Sequence, residues 1–351
     1  MVEKYRKSLE LDPNNVDTWI KLADVYHEKQ KFNKAIKCYK KALKIYDYSD
    51  VWNNLGLVYN SKGDNKKAIE CYKRSLELDP EDPIVYFNIA VSYEELEKTY
   101  QALKTYRKVL ELDPSNTNAL NNIALIHRNI DQIDKAIKTY KKAIKINPDD
   151  PFLHQSLGEL YYEDAEIEKA IYYFKKAIEL DSKNAELWND LGNIYYEEDD
   201  LEQAKHYYSK ATEINPYNMD YLNNLGLVFT LKRQFKKAIP LYKRALKLEP
   251  QDYVVHSNLA FCYKELEKYE LAIRHYEKCL DLEESNLEAL RNLGEIYIIL
   301  KKIKKAIFYF RKYLDICPDD EELWKIVSKC YSYLDQPKKA AKCLKKSKKW
   351  L

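Results

Sequence analysis

Glycine, proline and long apolar runs are scarce in this sequence. Six glycines and eleven prolines among 351 residues leave little material for tight turns, so a mostly helical chain is expected. No stretch approaches the roughly 18 consecutive apolar residues of a membrane-spanning helix. The first residues, MVEKYRKSLELDPNN, lack the apolar centre of a signal peptide. We therefore expect a cytoplasmic protein without a membrane span.

Cysteine pairs and arginine are also in short supply. The seven cysteines are an odd number and contain no CxxC spacing, which indicates reduced thiols and not a disulfide framework. Only nine of the 59 basic residues are arginine, and the net charge is +3. Because arginine makes most bidentate contacts to phosphates and base edges, specific nucleic-acid binding is not expected.

A period of 34 residues organises the chain. Leu-Asp-Pro or a close variant recurs at intervals of 34 or 68 residues, at Pro80, Pro114, Pro148, Pro216, Pro250 and Pro318. On this period ten repeats begin at residues 16, 49, 83, 117, 151, 185, 219, 253, 287 and 321. We number the repeats one to ten, and we count places within each repeat from its first residue. Such a period is the signature of stacked repeats, each contacting its neighbours.

The residue types at single places predict two packed helices per repeat. The twentieth place is always alanine: Ala35, Ala68, Ala102, Ala136, Ala170, Ala204, Ala238, Ala272, Ala306 and Ala340. The eighth is always small: Ala23, Gly56, Ala90, Ala124, Gly158, Gly192, Gly226, Ala260, Gly294 and Ser328. Because glycine costs about 1 kcal/mol inside a helix, its recurrence predicts two closely approaching helix backbones. Each repeat is thus predicted to be a helix A, a tight turn and a helix B, with Asp82-Pro83 and Asp150-Pro151 starting helices A.

The run WNNLGLVYNSKGDNKKAIECYKRSLELDP (52–80) resembles the consensus of tetratricopeptide (TPR) repeats almost place for place. The resemblance covers essentially the whole chain and implies an all-α solenoid, a right-handed superhelix of helix-turn-helix repeats with helix A lining its concave groove. Residues 1–15 are expected to be a partial repeat with helix B only, which suggests a longer parent protein. Residues 16–351 are expected to form one continuous solenoid. Lys348 replaces an apolar residue, so the last repeat is predicted to be a C-terminal cap.

The residues offer no support for catalysis or for a cofactor. Neither GxxxxGK[ST] nor GxGxxG occurs. His154 and His256 take the place of tryptophans in sister repeats, and His127 takes that of a tyrosine or phenylalanine, so all three are predicted to be core residues. We therefore expect a protein that is not an enzyme, with no metal and no cofactor.

Asparagine dominates the sixth place of helix A: Asn54, Asn88, Asn122, Asn224, Asn258 and Asn292, with Asn53 and Asn121 beside two of them. A carboxamide both donates and accepts hydrogen bonds, so a row of them could bind the backbone of an extended peptide. The row resembles the asparagine ladder in the TPR superhelix of O-linked N-acetylglucosamine transferases, whose catalytic part has no counterpart in this sequence. The alternative is that the amides only satisfy neighbouring helix ends.

Repeats five and six concentrate acidic and aromatic side chains at places expected to face the groove: Glu159, Tyr162, Glu163, Asp190, Tyr196 and Glu197. Such a surface favours a partner with a basic segment, through charge complementarity and cation–π contacts.

The sequence therefore predicts a protein–protein interaction scaffold or adaptor that binds an extended peptide or partner helix in its groove. A second hypothesis is the substrate-recruiting arm of a larger enzyme, such as a glycosyltransferase. A third is that the basic end, residues 338–351 with Trp350, contacts nucleic acid or an anionic membrane, although a solubilising cap is the simpler reading. Nothing in the residues indicates an oligomeric state.

Overall fold

The computed structural model describes residues 1–347, which form helices and no strands. The chain divides into two compact units, Met1–Leu180 and a second that begins at Asp181. The first unit contains α1 (Val2–Leu11), α2 (Val16–Glu28), α3 (Phe32–Ile45), α4 (Ser49–Ser61), α5 (Asn65–Leu78), α6 (Pro83–Glu94), α7 (Thr99–Leu112), α8 (Thr117–Asn129), α9 (Ile133–Ile146), α10 (Pro151–Glu163) and α11 (Ile167–Leu180). The second contains α12 (Ala185–Glu197), α13 (Leu201–Ile214), α14 (Met219–Leu231), α15 (Phe235–Leu248), α16 (Tyr253–Glu265), α17 (Tyr269–Leu282), α18 (Leu287–Ile299), α19 (Ile303–Ile316), α20 (Glu321–Tyr333) and α21 (Pro337–Ser347).

These bounds confirm the predicted all-α fold with a helix A and a helix B in each repeat. The expectations for Lys348 and Trp350 lie outside the described residues. Between residues 1 and 347, every helix is too short or too polar to cross a bilayer.

The starts of most helices A have side-chain caps, and α4 is the exception. Asp82 and Asp150 accept hydrogen bonds from the next backbone N–H groups, and proline occupies the first turn behind each of them. Proline is suited to this turn because its missing N–H would have no helical partner there. Both predicted caps are confirmed.

The turn between helix A and helix B uses a left-handed residue at the fifteenth place of every repeat. In repeat two this residue is Gly63, with φ +84°. In the other repeats it is not glycine: Gln30, Glu97, Asp131, Ala165, Asp199, Arg233, Glu267, Lys301 and Asp335. The N–H of the following residue then bonds to the carbonyl of the eleventh place, as Asp64 does to Tyr59 at 2.9 Å. This is the Schellman closure of a helix C-terminus.

Helices A and B of one repeat pack through the eighth and twenty-fourth places. At Gly192 an added Cβ would lie 2.6 Å from Cδ1 of Tyr208, and Gly226 faces Tyr242 in the same way. The predicted crowding at the eighth place is confirmed, but its predicted cause is wrong: the nearest atoms belong to an aromatic ring and not to the backbone of helix B.

A second aromatic contact joins the eleventh and twenty-third places in several repeats. Tyr161 stacks on Tyr173 with ring centroids 5.5 Å apart, and Tyr297 stacks on Tyr309 at 5.6 Å. The tyrosine of the eleventh place is a helix A residue and its partner is a helix B residue, so this stack fills the space between the two helices.

In repeat eight a histidine takes the twenty-third place, and its partners define its protonation. His275 stacks on Tyr263, and its Nδ1 lies 2.9 Å from Nδ1 of His256. Nε2 of His256 lies 3.2 Å from the carbonyl oxygen of Pro250, which can only accept. His256 therefore carries its proton on Nε2, and His275 donates from Nδ1. The predicted core positions of His127, His154 and His256 are confirmed, since all three are buried.

We predict that Gly192→Val lowers the free energy of unfolding by about 1–3 kcal/mol, because the branched side chain would overlap the Tyr208 ring and a packed core resists added volume. Gly192→Ala is the matched control, since Ala90 and Ala124 face tyrosines in sister repeats, and it should cost less. The measurement is urea unfolding followed by circular dichroism. Equal losses in the two variants would contradict the proposed contact.

We also predict that acid destabilises the second unit through His275. Burial, followed by the charge of His256, lowers the pKa of His275 to about 4. Because this lies below the unfolded value of about 6.5, the contribution of His275 to the free energy of unfolding is greatest above pH 6.5 and falls by about 1–2 kcal/mol, after a discount for solvent screening, as the pH drops toward 4.

The variant His275→Tyr keeps the ring stack and should remove most of this loss, measured as the thermal midpoint between pH 7 and pH 4. An equal acid loss in wild type and variant would contradict the assignment.

Candidate protein-interaction surface

The helix A face consists of the side chains at places two, five, six, nine, twelve and thirteen of each helix A, which helical spacing puts on one side. In the first unit, Nδ2 of Asn88 donates to Oδ1 of Asn53 at 2.9 Å. This bond joins the sixth place of repeat three to the fifth place of repeat two. Asn88 of the row therefore links repeats two and three.

The same bond recurs twice in the second unit. Asn224 donates to Asn189 at 3.0 Å, and Asn258 donates to Asn223 at 3.0 Å. The two receiving residues were not singled out from the sequence, since their role depends on how one repeat sits against the next. Each bond uses one N–H of the sixth-place amide and one lone pair of the fifth-place amide, which leaves an N–H and an oxygen on the first and two N–H groups on the second.

The remaining asparagines of the first unit are held differently. Asn54 is half-buried and has no hydrogen-bond partner among residues 1–347. Asn122 donates to the hydroxyl of Tyr106 at 2.7 Å, and the hydroxyl of Tyr140 donates to Oδ1 of Asn121 at 3.0 Å. The row in the first unit therefore combines engaged amides with one that has no partner within the described chain.

Asn292 differs from the rest of the row because it is buried. Its Nδ2 donates to the carbonyl oxygen of Glu288 at 2.9 Å, and its Oδ1 accepts from Nζ of Lys264 at 2.6 Å. Lys264 also pairs with Glu295. Asn292 thus offers little surface to a ligand, and the side chains around it are mutually satisfied.

The acidic residues of repeat five are paired with a cation from repeat four. Nη1 of Arg128 lies 3.1 Å from Oε2 of Glu159, and its Nε lies 2.9 Å from Oε1 of Glu163. The bond to Glu163 and the charges of both carboxylates raise the pKa of Arg128. Tyr162 lies half-buried in the same helix as the two acids. Arg128 is not predictable from one repeat alone, because its partners lie in the next repeat, 31 and 35 positions later in the chain.

In the second unit, α12 retains its acidic character. Asp190, Tyr196 and Glu197 all belong to this helix, whose thirteen residues include no lysine, arginine or histidine. Burial raises the pKa of the buried Tyr208 hydroxyl, and the charges of Glu197 and Asp190 raise it further. These groups therefore produce a negative potential along α12. The predicted acidic region falls in two units, with Glu159 and Glu163 in the first and Asp190 and Glu197 in the second.

The ion pairs of Arg128 yield a stability prediction. Arg128→Met should lower the free energy of unfolding by about 1 kcal/mol at low salt, because partly exposed ion pairs contribute little each and this side chain makes two. The loss should shrink in 1 M NaCl as the charges are screened. Arg233→Met is the control, since its single pair with Glu265 is more exposed. A loss that does not change with salt would contradict the electrostatic account.

Family models agree with the repeats. A model described as tetratricopeptide repeat matches residues 16–47, 49–82, 83–116, 185–218 and 220–252. Others of the same description match 253–319 and 105–138, and a TPR repeat model matches 128–164 and 166–199. No curated protein matches the sequence.

Solved structures with the same fold include the C-terminal part of a TPR repeat-containing protein from Cytophaga hutchinsonii. It is 17% identical with a TM-score of 0.59, over 68% of this chain and 97% of the other. The pilF protein of Pseudomonas aeruginosa is 20% identical with a TM-score of 0.51, over 62% and 98%. YrrB, a TPR protein with an unusual peptide-binding site, is 27% identical with a TM-score of 0.48, over 52% and 95%.

Proposed function

This chain belongs to the tetratricopeptide repeat family, and on that premise we propose that it is a scaffold whose helix A face binds an extended segment of a partner protein. The architecture is typical of non-catalytic interaction proteins, and proteins of this family generally bind proteins or peptides. The observation that carries the finer proposal is the set of paired amides that links consecutive repeats.

The amide pairs support backbone recognition because their orientation is fixed before a ligand arrives. In the pair Asn258–Asn223, one hydrogen bond sets both carboxamides, while a donor and an acceptor of Asn258 and two donors of Asn223 remain. A preorganised group loses less conformational entropy on binding than a free side chain does. A backbone presents a donor and an acceptor at each residue, so such amides suit an extended segment whatever its side chains.

The α12 part of the helix A face supports a basic segment in the partner. Asp190 and Glu197 lie on this helix without a cation in the same helix, and Tyr196 between them in the chain offers a ring for a cation–π contact. In repeat five, Arg128 of α8 pairs with Glu159 and Glu163. We propose that the segment's basic residues contact the carboxylates of α12.

Peptides selected by phage display on the immobilised protein provide the ligands for a test. Asn54→Ala should weaken their binding about fivefold, the value of one hydrogen bond of about 1 kcal/mol. The thermal midpoint should stay unchanged, because Asn54 has no hydrogen-bond partner among the described residues. Binding is measured by fluorescence anisotropy, and Asn14→Ala in an exposed loop is the matched control. Unchanged binding in Asn54→Ala would contradict a contact at that amide, and unchanged binding in Asn258→Ala, which removes one member of a pair, would contradict recognition by the paired amides.

Charge selection is tested with the same peptides divided by their lysine and arginine content. The double variant Asp190→Asn, Glu197→Gln should bind basic peptides about tenfold more weakly and neutral peptides as tightly as before. Only the basic peptides lose a charge-assisted contact. Glu213→Gln with Glu270→Gln removes two exposed charges from helices B of the same unit as a control. An equal loss in the control variant would show a general charge effect and contradict the proposed site.

A further inference from the structure

The ring stack between the eleventh and twenty-third places is missing from six repeats, and a cavity lies at this position in three of them, repeats one, four and ten. The twenty-third place is Cys38 in repeat one, Thr139 in repeat four and Cys343 in repeat ten, where repeats five and nine have Tyr173 and Tyr309. The corresponding cavities have volumes of about 530, 740 and 200 Å³. In these three repeats the small residue lies beside a space that corresponds to the aromatic ring of repeats five and nine.

The repeat-four cavity, lined by residues of α7, α8 and α9, is the largest of these three because it lacks both rings. His127 replaces the tyrosine of the eleventh place, and Thr139 replaces its stacking partner. Leu120 stands where repeats one and ten have tryptophan. Ile123 and Ile137 complete an apolar wall. A cavity of this volume falls within the range of binding sites for small groups, roughly 300–1,000 Å³.

Cations surround this apolar wall. Arg107, Lys138, Lys142 and Lys145 line the cavity, and Asp134 is its acidic lining residue. None of the four cations has an ion-pair partner within residues 1–347. Four cations around one carboxylate leave this cluster with a net positive charge.

The histidine at the eleventh place of repeat four leaves the positive charge of Arg107 without the aromatic partner that equivalent cations have. In other repeats the cation of the twenty-fifth place lies over the tyrosine of the next repeat, as Lys40 does over Tyr59 at 5.8 Å and Lys141 over Tyr161 at 5.3 Å. Arg107 meets His127 instead. Two cations repel, and burial together with the charges of Lys135 and Arg107 lowers the pKa of His127. The histidine is neutral at pH 7 and leaves the charge of Arg107 uncompensated.

We propose that the repeat-four cavity binds an aromatic side chain presented by an acidic segment of a partner protein. The shape is that of the ring pair missing from this repeat, and the charge around it is complementary to aspartate and glutamate residues flanking the ring. The site is formed by helices B and the back of α8, and it does not include the paired amides of the helix A face. It is a second interaction site, independent of the proposed groove function.

The probes are short fluorescein-labelled peptides whose sequences isolate each component. The peptide Asp-Asp-Phe-Asp-Asp carries both ring and charge, Asp-Asp-Gly-Asp-Asp lacks the ring, and Lys-Lys-Phe-Lys-Lys reverses the charge. Fluorescence anisotropy at moderate salt should give the tightest binding for the first peptide. Equal affinity for the first and second peptides would overturn the proposal, because it would mean that the cavity takes no part.

Two variants of the protein locate the site. The double substitution His127→Tyr, Thr139→Tyr supplies the ring pair that repeat five already accommodates, and it should fill the cavity and weaken the first peptide at least tenfold. Lys138→Glu with Lys142→Glu alters only exposed side chains and should weaken it by a similar factor. Lys66→Glu with Lys73→Glu, two exposed lysines of α5, is the control with the same change in net charge.

Unchanged binding by the control together with loss in both site variants would support the proposal. Unchanged binding in the filled variant would overturn it, and so would an equal loss in the control, since the peptide would then be held by general charge attraction. Circular dichroism of each variant confirms that its helices remain.

Discussion

The rest of the structure depends on the contact between the small residue at the eighth place and the ring at the twenty-fourth. In repeat six it brings helix A and helix B so close that an added Cβ at Gly192 would lie 2.6 Å from the Tyr208 ring, and sister repeats have no residue larger than serine at this place. Because interiors are packed as densely as organic crystals, this contact fixes the angle and distance of the two helices. The same pair of helices then presents a uniform edge to the next repeat, and the fold grows by repetition of one packing rule.

The same contact supplies the helix A face with polar groups. A tyrosine at the twenty-fourth place passes between the helices, and its hydroxyl emerges among helix A side chains. The hydroxyl of Tyr208 donates to Asn193 at 2.9 Å, and that of Tyr140 donates to Asn121 at 3.0 Å. Repeats five and nine carry Phe174 and Phe310 instead and lack this group. One tyrosine side chain therefore contributes its ring to the core and its hydroxyl to the candidate binding surface.

Sequence reasoning predicted the parts of the fold that depend on one repeat at a time. The period, the alanines, the caps at Asp82 and Asp150 and the close approach at the eighth place all follow from local composition. The left-handed fifteenth place was not predicted, since only Gly63 among ten residues marks it. The surrounding helix closure forces the conformation on residues such as Lys301, for which the local backbone cost is of order 1 kcal/mol.

Site features that depend on two repeats were predicted less well. The sixth-place asparagines were identified as a row, but the bond from Asn88 to Asn53 requires knowing how repeat three sits on repeat two. Arg128 was missed for the same reason, and with it the partial neutralisation of Glu159 and Glu163. The asparagines were expected either to bind a ligand or to have a structural role. The two roles do not exclude each other, because one amide pair can link repeats and still keep groups for a ligand.

Peptide recognition through the helix A face is tested most directly by the NMR signals of the asparagine side-chain NH2 groups, recorded while a selected peptide is added. The account predicts that the signals of Asn54, Asn224 and Asn258 shift in proportion to peptide binding, while that of the buried Asn292 moves little. Saturating peptide that shifts other resonances but leaves all four unchanged would contradict recognition through the helix A face.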